Sequence, residues 1–279
     1  MELDTNLARS LYRTMLLIRR FEEEVRDRFS EGEIPGFVHL YIGEEAIAAG
    51  VMAALSEKDY IMSTHRGHGH LIAKGADIKR LMAELYGRKT GLNKGYGGSM
   101  HAAQLSRGII GANGIVGSGI GIATGAALAL KYKKTGSIVA SFFGDGAANI
   151  GAFHESLTMA SIWKLPVLYV CENNQYAATI RFEKTSPLTN VSERVKAYDI
   201  EAVRVDGTDP VEVYSAARRL VEKIRGGEGP KFLEALAFRV RGHFEGDPST
   251  TGVRGRWKSG CPAMTPLKNS AGGFWRRVC

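Results

Sequence analysis

Apolar side chains recur three, four or seven residues apart through residues 4–30, at Leu7, Leu11, Met15, Ile18, Val25 and Phe29. That period predicts an amphipathic helix. GFVHLYIGEEAIAAGVMAAL then runs from a loop carrying His39 into a second helix over about residues 44–55. Further on the period shortens. Residues 60–63, 137–143 (SIVASFF), 167–172 (VLYVCE), 201–206 and 231–240 are short apolar runs of strand length. Helical stretches separate them, at 77–86, from within the seven-glycine segment 108–127 to about 134, at 151–163, and after Asp209-Pro210. An aspartate before a proline is a helix-start signal, because the proline fits the first turn and the carboxylate accepts from orphan amides. Residues 64–70 read as a loop. Short apolar strands alternating with helices predict an α/β fold, a mainly parallel sheet flanked by helices on both faces. Ligands then belong at the C-terminal ends of the strands.

The chain has 279 residues, 44% hydrophobic and 24% charged, which excludes low-complexity and disulfide-framework classes. No apolar run approaches membrane-spanning length, and the first fifteen residues lack a secretory layout. Three cysteines fit a reducing, cytoplasmic setting. The net charge of +8 hints at an anionic partner such as nucleic acid. Its distribution removes the hint: residues 249–279 hold six basic residues and no acid, leaving residues 1–248 at +2. Neither nucleic acid nor a membrane is therefore expected as a partner. The same 31 residues carry two of the three cysteines and two of the three tryptophans, without helical or strand period. We read 249–279 as an atypical basic tail foreign to the fold, such as one read in an altered frame, rather than a flexible anion-binding tail, because such tails are poor in Trp, Phe and Cys.

The densest chemistry lies at two strand ends. SIVASFF is followed by Gly144-Asp145-Gly146, and the next strand ends in Glu172-Asn173-Asn174. Two strands of one βαβ unit thus bring the Asp145 carboxylate and the Asn174 amide to the same sheet edge. A small set of hard oxygen ligands suits Mg²⁺, which fills its octahedron with phosphate oxygens and water. Glycines at 144 and 146 let the backbone approach phosphates. GDGAAN nearly spells a dinucleotide fingerprint but lacks its third glycine, and a bare aspartate would repel a pyrophosphate unless a cation lay between them. His65, His68 and His70 fall within six residues, yet on a glycine-rich loop this spacing is a weak zinc signal. His154 and Cys171 read as structural residues.

GDG followed by NN at this spacing resembles the thiamine diphosphate motif. Nearly all of residues 4–248 resembles the alpha subunit of the first component of 2-oxo acid dehydrogenase complexes. The segments that carry the resemblance are GFVHLYIGEEA, STHRGHGH, GYGGSMH, GANGIVG, GDGAANIGAFHESLTMASIWKLPVLYVCENNQY and RVRGHFEGD. STHRGHGH and GHFEGD are most similar to the acetoin dehydrogenase branch; pyruvate-type subunits usually carry tyrosine where His65 stands. The resemblance implies a thiamine diphosphate-binding domain over 1–248, with Mg²⁺ held by Asp145, Asn174 and the main-chain oxygen of Tyr176. It implies Arg66 paired with the diphosphate, His68 as a phosphate contact or a support behind one, the backbone at Gly114 and Val116 against the aminopyrimidine, and Gly144 and Gly146 beside the cofactor. His39 and His243 become the catalytic candidates, moving protons or orienting the substrate.

The activity so implied is that of an oxidoreductase. It cleaves acetoin, or decarboxylates pyruvate, and passes the acyl carbanion to a lipoyl group. The implied partners are a beta subunit in an α₂β₂ heterotetramer, which supplies the glutamate against the aminopyrimidine, and a lipoyl-bearing acyltransferase. Pyruvate or branched-chain 2-oxo acid decarboxylation, or a truncated non-catalytic interaction subunit, are the alternatives. Phe244 stands where mitochondrial pyruvate-type subunits carry a serine, so kinase control at that place is not expected. After GHFEGD the family continues with a Tyr-Arg pair and further helices that this sequence does not match.

Overall fold

The computed structural model describes residues 4–247. Six parallel strands form one sheet in the order β2-β1-β3-β4-β8-β7: β1 (Tyr60–Met62), β2 (Ile109–Gly111), β3 (Val139–Gly144), β4 (Val167–Asn173), β7 (Glu201–Asp206) and β8 (Lys231–Leu236). A small antiparallel ribbon, β5 (Tyr176–Ala177) with β6 (Ile180–Arg181), follows β4. Helices α1 (Thr5–Ser30), α2 (Glu45–Ala54), α3 (His68–Ala73), α4 (Ile78–Leu85) and α8 (Pro210–Arg225) lie on one side; α5 (Ser118–Tyr132), α6 (Gly151–Ile162) and α7 (Val191–Val195) lie on the other.

The central strands show why their sequences are continuously apolar. Ala140 and Phe142 of β3, with Leu168 and Val170 of β4, pack into the core of the first side. Val139 and Phe143, with Val167, Tyr169 and Cys171, pack into the core of the second. A strand buried on both faces has no polar face to alternate with. Cys171 is fully buried, as its place in the strand suggested.

Helix starts follow the predicted chemistry. Asp77 accepts from the amides of Lys79 and Arg80, and Asp209 from those of Val211 and Glu212 with Pro210 in the first turn. Two expectations need correction. The stretch 64–70 is not all loop, because α3 begins at His68. Its burial requires a glycine: a Cβ on Gly69 would lie 2.1 Å from the Tyr41 ring. The last strand stops at Leu236 rather than 240, because its neighbours β4 and β7 end at Asn173 and Asp206 and offer no further ladder. The short elements β2, α7 and the β5–β6 ribbon carry too little period to be read from sequence. The 249–279 tail falls outside the described residues.

A buried carboxylate organises the segment between α4 and β2. Glu84 is inaccessible to solvent, and its two oxygens accept from the backbone amides of Asn93, Gly95, Gly97 and Gly98 at 2.6–3.3 Å. Replacing it leaves four partly buried donors without this acceptor. Glu84→Ala should lower the unfolding free energy by about 3 kcal/mol in urea titrations; a loss below about 1 kcal/mol would show that the segment holds itself.

Candidate functional site

Because every strand of the main sheet is parallel, the chain leaves β1, β2, β3, β4 and β8 at one edge, and a cleft of about 260 Å³ opens there. Ser63–Arg66 follow β1, Asn113–Gly117 follow β2, Asp145 follows β3, Asn174 and Tyr176 follow β4, and Arg239 and His243 follow β8. Register sets the central pair: Gly144 lies opposite Glu172, so Asp145 and Asn174 leave neighbouring strands at nearly the same level.

Asp145 is 1% exposed, and its Oδ2 atom has no hydrogen-bond partner among the described residues. Burial pushes its pKa up to about 7. A buried carboxylate oxygen without a donor is costly unless a cation completes it. Asn174 is pinned on both sides: its Nδ2 donates to Glu44 Oε1 at 2.9 Å, and its Oδ1 accepts from the Tyr176 amide at 3.2 Å. Gly146 permits the close packing here, since a Cβ would lie 2.7 Å from that of Ala177. Oxygen-rich donors around one unsatisfied carboxylate fit a divalent cation of Mg²⁺ type.

Arg66 is buried beside this group. It donates to the carbonyls of Leu40 and His243 at 2.8 and 2.7 Å, which spends two of five guanidinium donors and fixes the fork at the cleft wall. The carbonyl it grips ties the loop after β8 to the loop after β1.

His39 and His243 meet across that tie, with ring centroids 5.0 Å apart, and His65 completes a trio at 4.8 Å from His39. One ring nitrogen from each lies within 4.8 Å of the other two. Burial first, and then Arg66, lower the three pKa values to about 3 for His39, about 2 for His65 and about 4 for His243. At neutral pH the trio is therefore an uncharged cluster of imidazoles, of which His65 and His243 line the cleft while the buried His39 packs against both without lining it. Such weak bases suit orientation of a substrate better than proton abstraction. Arg66 and Arg239 also set a positive field that disfavours a dication among the histidines.

The remaining residues separate from this picture. His68 does not line the cleft: its ring nitrogens engage Glu22 at 3.1 Å and Ser99 at 3.0 Å in the core. It supports the loop rather than facing a phosphate. His70 turns inward too, bridging Ser63 and Glu172, which also accepts from the Tyr41 hydroxyl. The histidines of STHRGHGH thus diverge and form no zinc set. Val116 lines the cleft, whereas Gly114 lies beside its wall, near His101. Gly144 and Gly146 line it with Asp145. His154 bonds the Tyr198 hydroxyl away from the cleft. Glu44 and Arg239 also line it and were not singled out from sequence; the doubled glutamate of GEEA was the only available signal for the first.

Comparison with known proteins adds an independent line. The family described as "Dehydrogenase E1 component" matches residues 13–268. The chain is 52% identical over 240 residues to the alpha subunit of acetoin:2,6-dichlorophenolindophenol oxidoreductase from Bacillus subtilis, covering 86% of this chain and 72% of that one. The subunit of the same name from Cupriavidus necator is 48% identical over 248 residues, covering 89% and 74%. The pyruvate dehydrogenase E1 component subunit alpha of Rhizobium meliloti is 45% identical over 238 residues, covering 85% and 68%. Among solved structures, a transketolase from Campylobacter jejuni shares the fold with a TM-score of 0.61 at 18% identity, covering 84% of this chain and 38% of that one.

The depressed histidine pKa values predict acid sensitivity of defined sign. A histidine whose folded pKa lies below its unfolded value near 6.5 favours folding above pH 6.5, and that contribution is lost as pH falls toward the folded value. At pH 5 His65 alone accounts for at most about 2 kcal/mol. His65→Asn should flatten the decline of the thermal midpoint between pH 7 and 5; an unchanged slope would mean that His65 is not held neutral by burial.

Proposed function

The chain belongs to the dehydrogenase E1 component family, and on that premise we propose that it forms the part of an acetoin-cleaving active site that holds Mg²⁺ and the diphosphate of the cofactor. It is the alpha subunit of a thiamine diphosphate-dependent oxidoreductase of the 2-oxo acid dehydrogenase complex type. The observation that carries the metal reading is the buried, unpartnered Asp145 Oδ2 beside Asn174 and Tyr176.

In this reading Asp145, Asn174 Oδ1 and the Tyr176 carbonyl hold Mg²⁺, and the ion neutralises the diphosphate that would otherwise oppose Asp145. Arg66, already fixed by two carbonyls, directs its remaining donors to the anion. Thiamine diphosphate, when bound, supplies the thiazolium carbon that adds to a carbonyl and takes up the electron pair of the broken C–C bond. His65 and His243, backed by His39, present uncharged imidazoles that orient hydroxyl and carbonyl oxygens by hydrogen bonds. Such groups suit acetoin, which has no carboxylate to pair with a cation. Pyruvate or another 2-oxo acid is the competing substrate, favoured by the pyruvate dehydrogenase relatives.

The partner is a beta subunit in an α₂β₂ assembly, supplying the carboxylate for the aminopyrimidine. Ile115 and Val116 support this, because both line the cleft while 70% and 57% exposed, a rim for another chain to cover. A lipoyl-bearing acyltransferase takes the acyl unit. No helix among the described residues is long and apolar enough to cross a membrane. The buried free thiol of Cys171 suits a reducing cytoplasm.

Asp145→Ala should abolish Mg²⁺-dependent binding of thiamine diphosphate in titration calorimetry; unchanged affinity would remove Asp145 from the metal site. With a co-expressed beta subunit and an artificial electron acceptor, acetoin should be turned over in preference to pyruvate. Pyruvate turnover alone would overturn the substrate assignment.

A further inference from the structure

Glu44 has no role so far, although it lines the cleft and is 2% exposed. It immediately precedes α2, an element remote in sequence from the strand that delivers Asn174. Its Oε1 atom accepts from the Asn174 amide nitrogen at 2.9 Å, across 130 residues of sequence. An asparagine amide has two ends of nearly equal shape, one donor and one acceptor. A carboxylate can satisfy only the donor end, so the Glu44 contact, together with the Tyr176 amide, fixes which end of Asn174 is oxygen. That oxygen is already positioned by the Tyr176 amide at 3.2 Å, and its second lone pair can go to a cation. The same contact shapes the turn 174–176, and with it the place of the Tyr176 carbonyl.

We infer that Glu44 is a positioning residue for the divalent-cation site, holding the Asn174 amide with its oxygen presented as a ligand and so setting the affinity for the ion. The inference rests on reading Asp145, Asn174 and Tyr176 as the ligands. Without Glu44 only the Tyr176 amide holds the Asn174 side chain, and an amide turned over would offer N–H donors that repel the cation. Outer partners of metal ligands commonly contribute tenfold or more to affinity.

The test uses Mn²⁺ as the probe, bound to the full chain co-expressed with its beta subunit, with saturating thiamine diphosphate, and followed by loss of the free-ion paramagnetic resonance signal. Glu44→Ala should weaken Mn²⁺ binding about tenfold. Glu44→Gln keeps an acceptor oxygen for the amide and should stay within about twofold of the parent. In an Asn174→Ala background, Glu44→Ala should add no further loss, because the group it positions is gone. Near-ultraviolet circular dichroism checks that each variant is folded, and Glu44→Met, which fills the same space without an acceptor, replaces alanine if the cavity unfolds the chain. Equal weakening by alanine and glutamine would mean that the charge, not the amide contact, matters. That result, no weakening in either variant, or an undiminished loss in the Asn174→Ala background would overturn the inference. If the parent chain itself binds no Mn²⁺, the cation site fails, which is a different result from a parent that binds while its Glu44 variants are unaffected.

Discussion

Burying a carboxylate with one oxygen unpartnered is costly, and much of the cleft is organised around such a group. Asp145 stands at the end of β3 with Oδ2 unsatisfied and its pKa raised to about 7. Glu44, another buried carboxyl of the same cleft, is raised to about 7 as well, by burial and by Glu172. A fold selected for stability alone would place amides or apolar groups there. Two strained carboxyls beside an oxygen-bearing asparagine make sense where a cation completes the set.

The parallel sheet makes that concentration possible. Antiparallel strands would scatter their C-terminal ends to both edges, whereas here five strands release their loops on one side. The loops are then tied to one another. Arg66 joins the loop after β1 to carbonyls at Leu40 and His243, and the three histidines come from segments that share no local sequence. Buried bonds of this kind fix a site before any ligand arrives, which lowers the ordering cost of binding.

The readability of each residue follows from the range of its contacts. Asp145 and Asn174 were legible because they end consecutive strands of one βαβ unit, where period and topology suffice. The doubly buried strands and the Asp77 and Asp209 caps were legible for the same reason: the chemistry is local. Whether His68 touches the phosphate or supports the loop behind it could not be read locally, because its partners, Glu22 and Ser99, lie 46 and 31 residues away. Gly69 was read as loop material, yet it is what lets a helix pack against Tyr41. His65 joined His39 and His243 only in the folded chain, and Glu44 meets Asn174 through a contact that no spacing rule encodes. The family resemblance identified the chemistry, while the structure separated the histidines that line the cleft from those that brace it.

The account turns on what completes the Asp145 carboxylate. Crystals of the full chain grown with thiamine diphosphate and Mn²⁺ in place of Mg²⁺ would answer this through anomalous scattering. An anomalous peak is expected about 2.1–2.2 Å from Asp145 Oδ2, shared with Asn174 Oδ1 and the Tyr176 carbonyl. A peak elsewhere in the cleft, or Asp145 satisfied by a protein donor with no ion beside it, would contradict it.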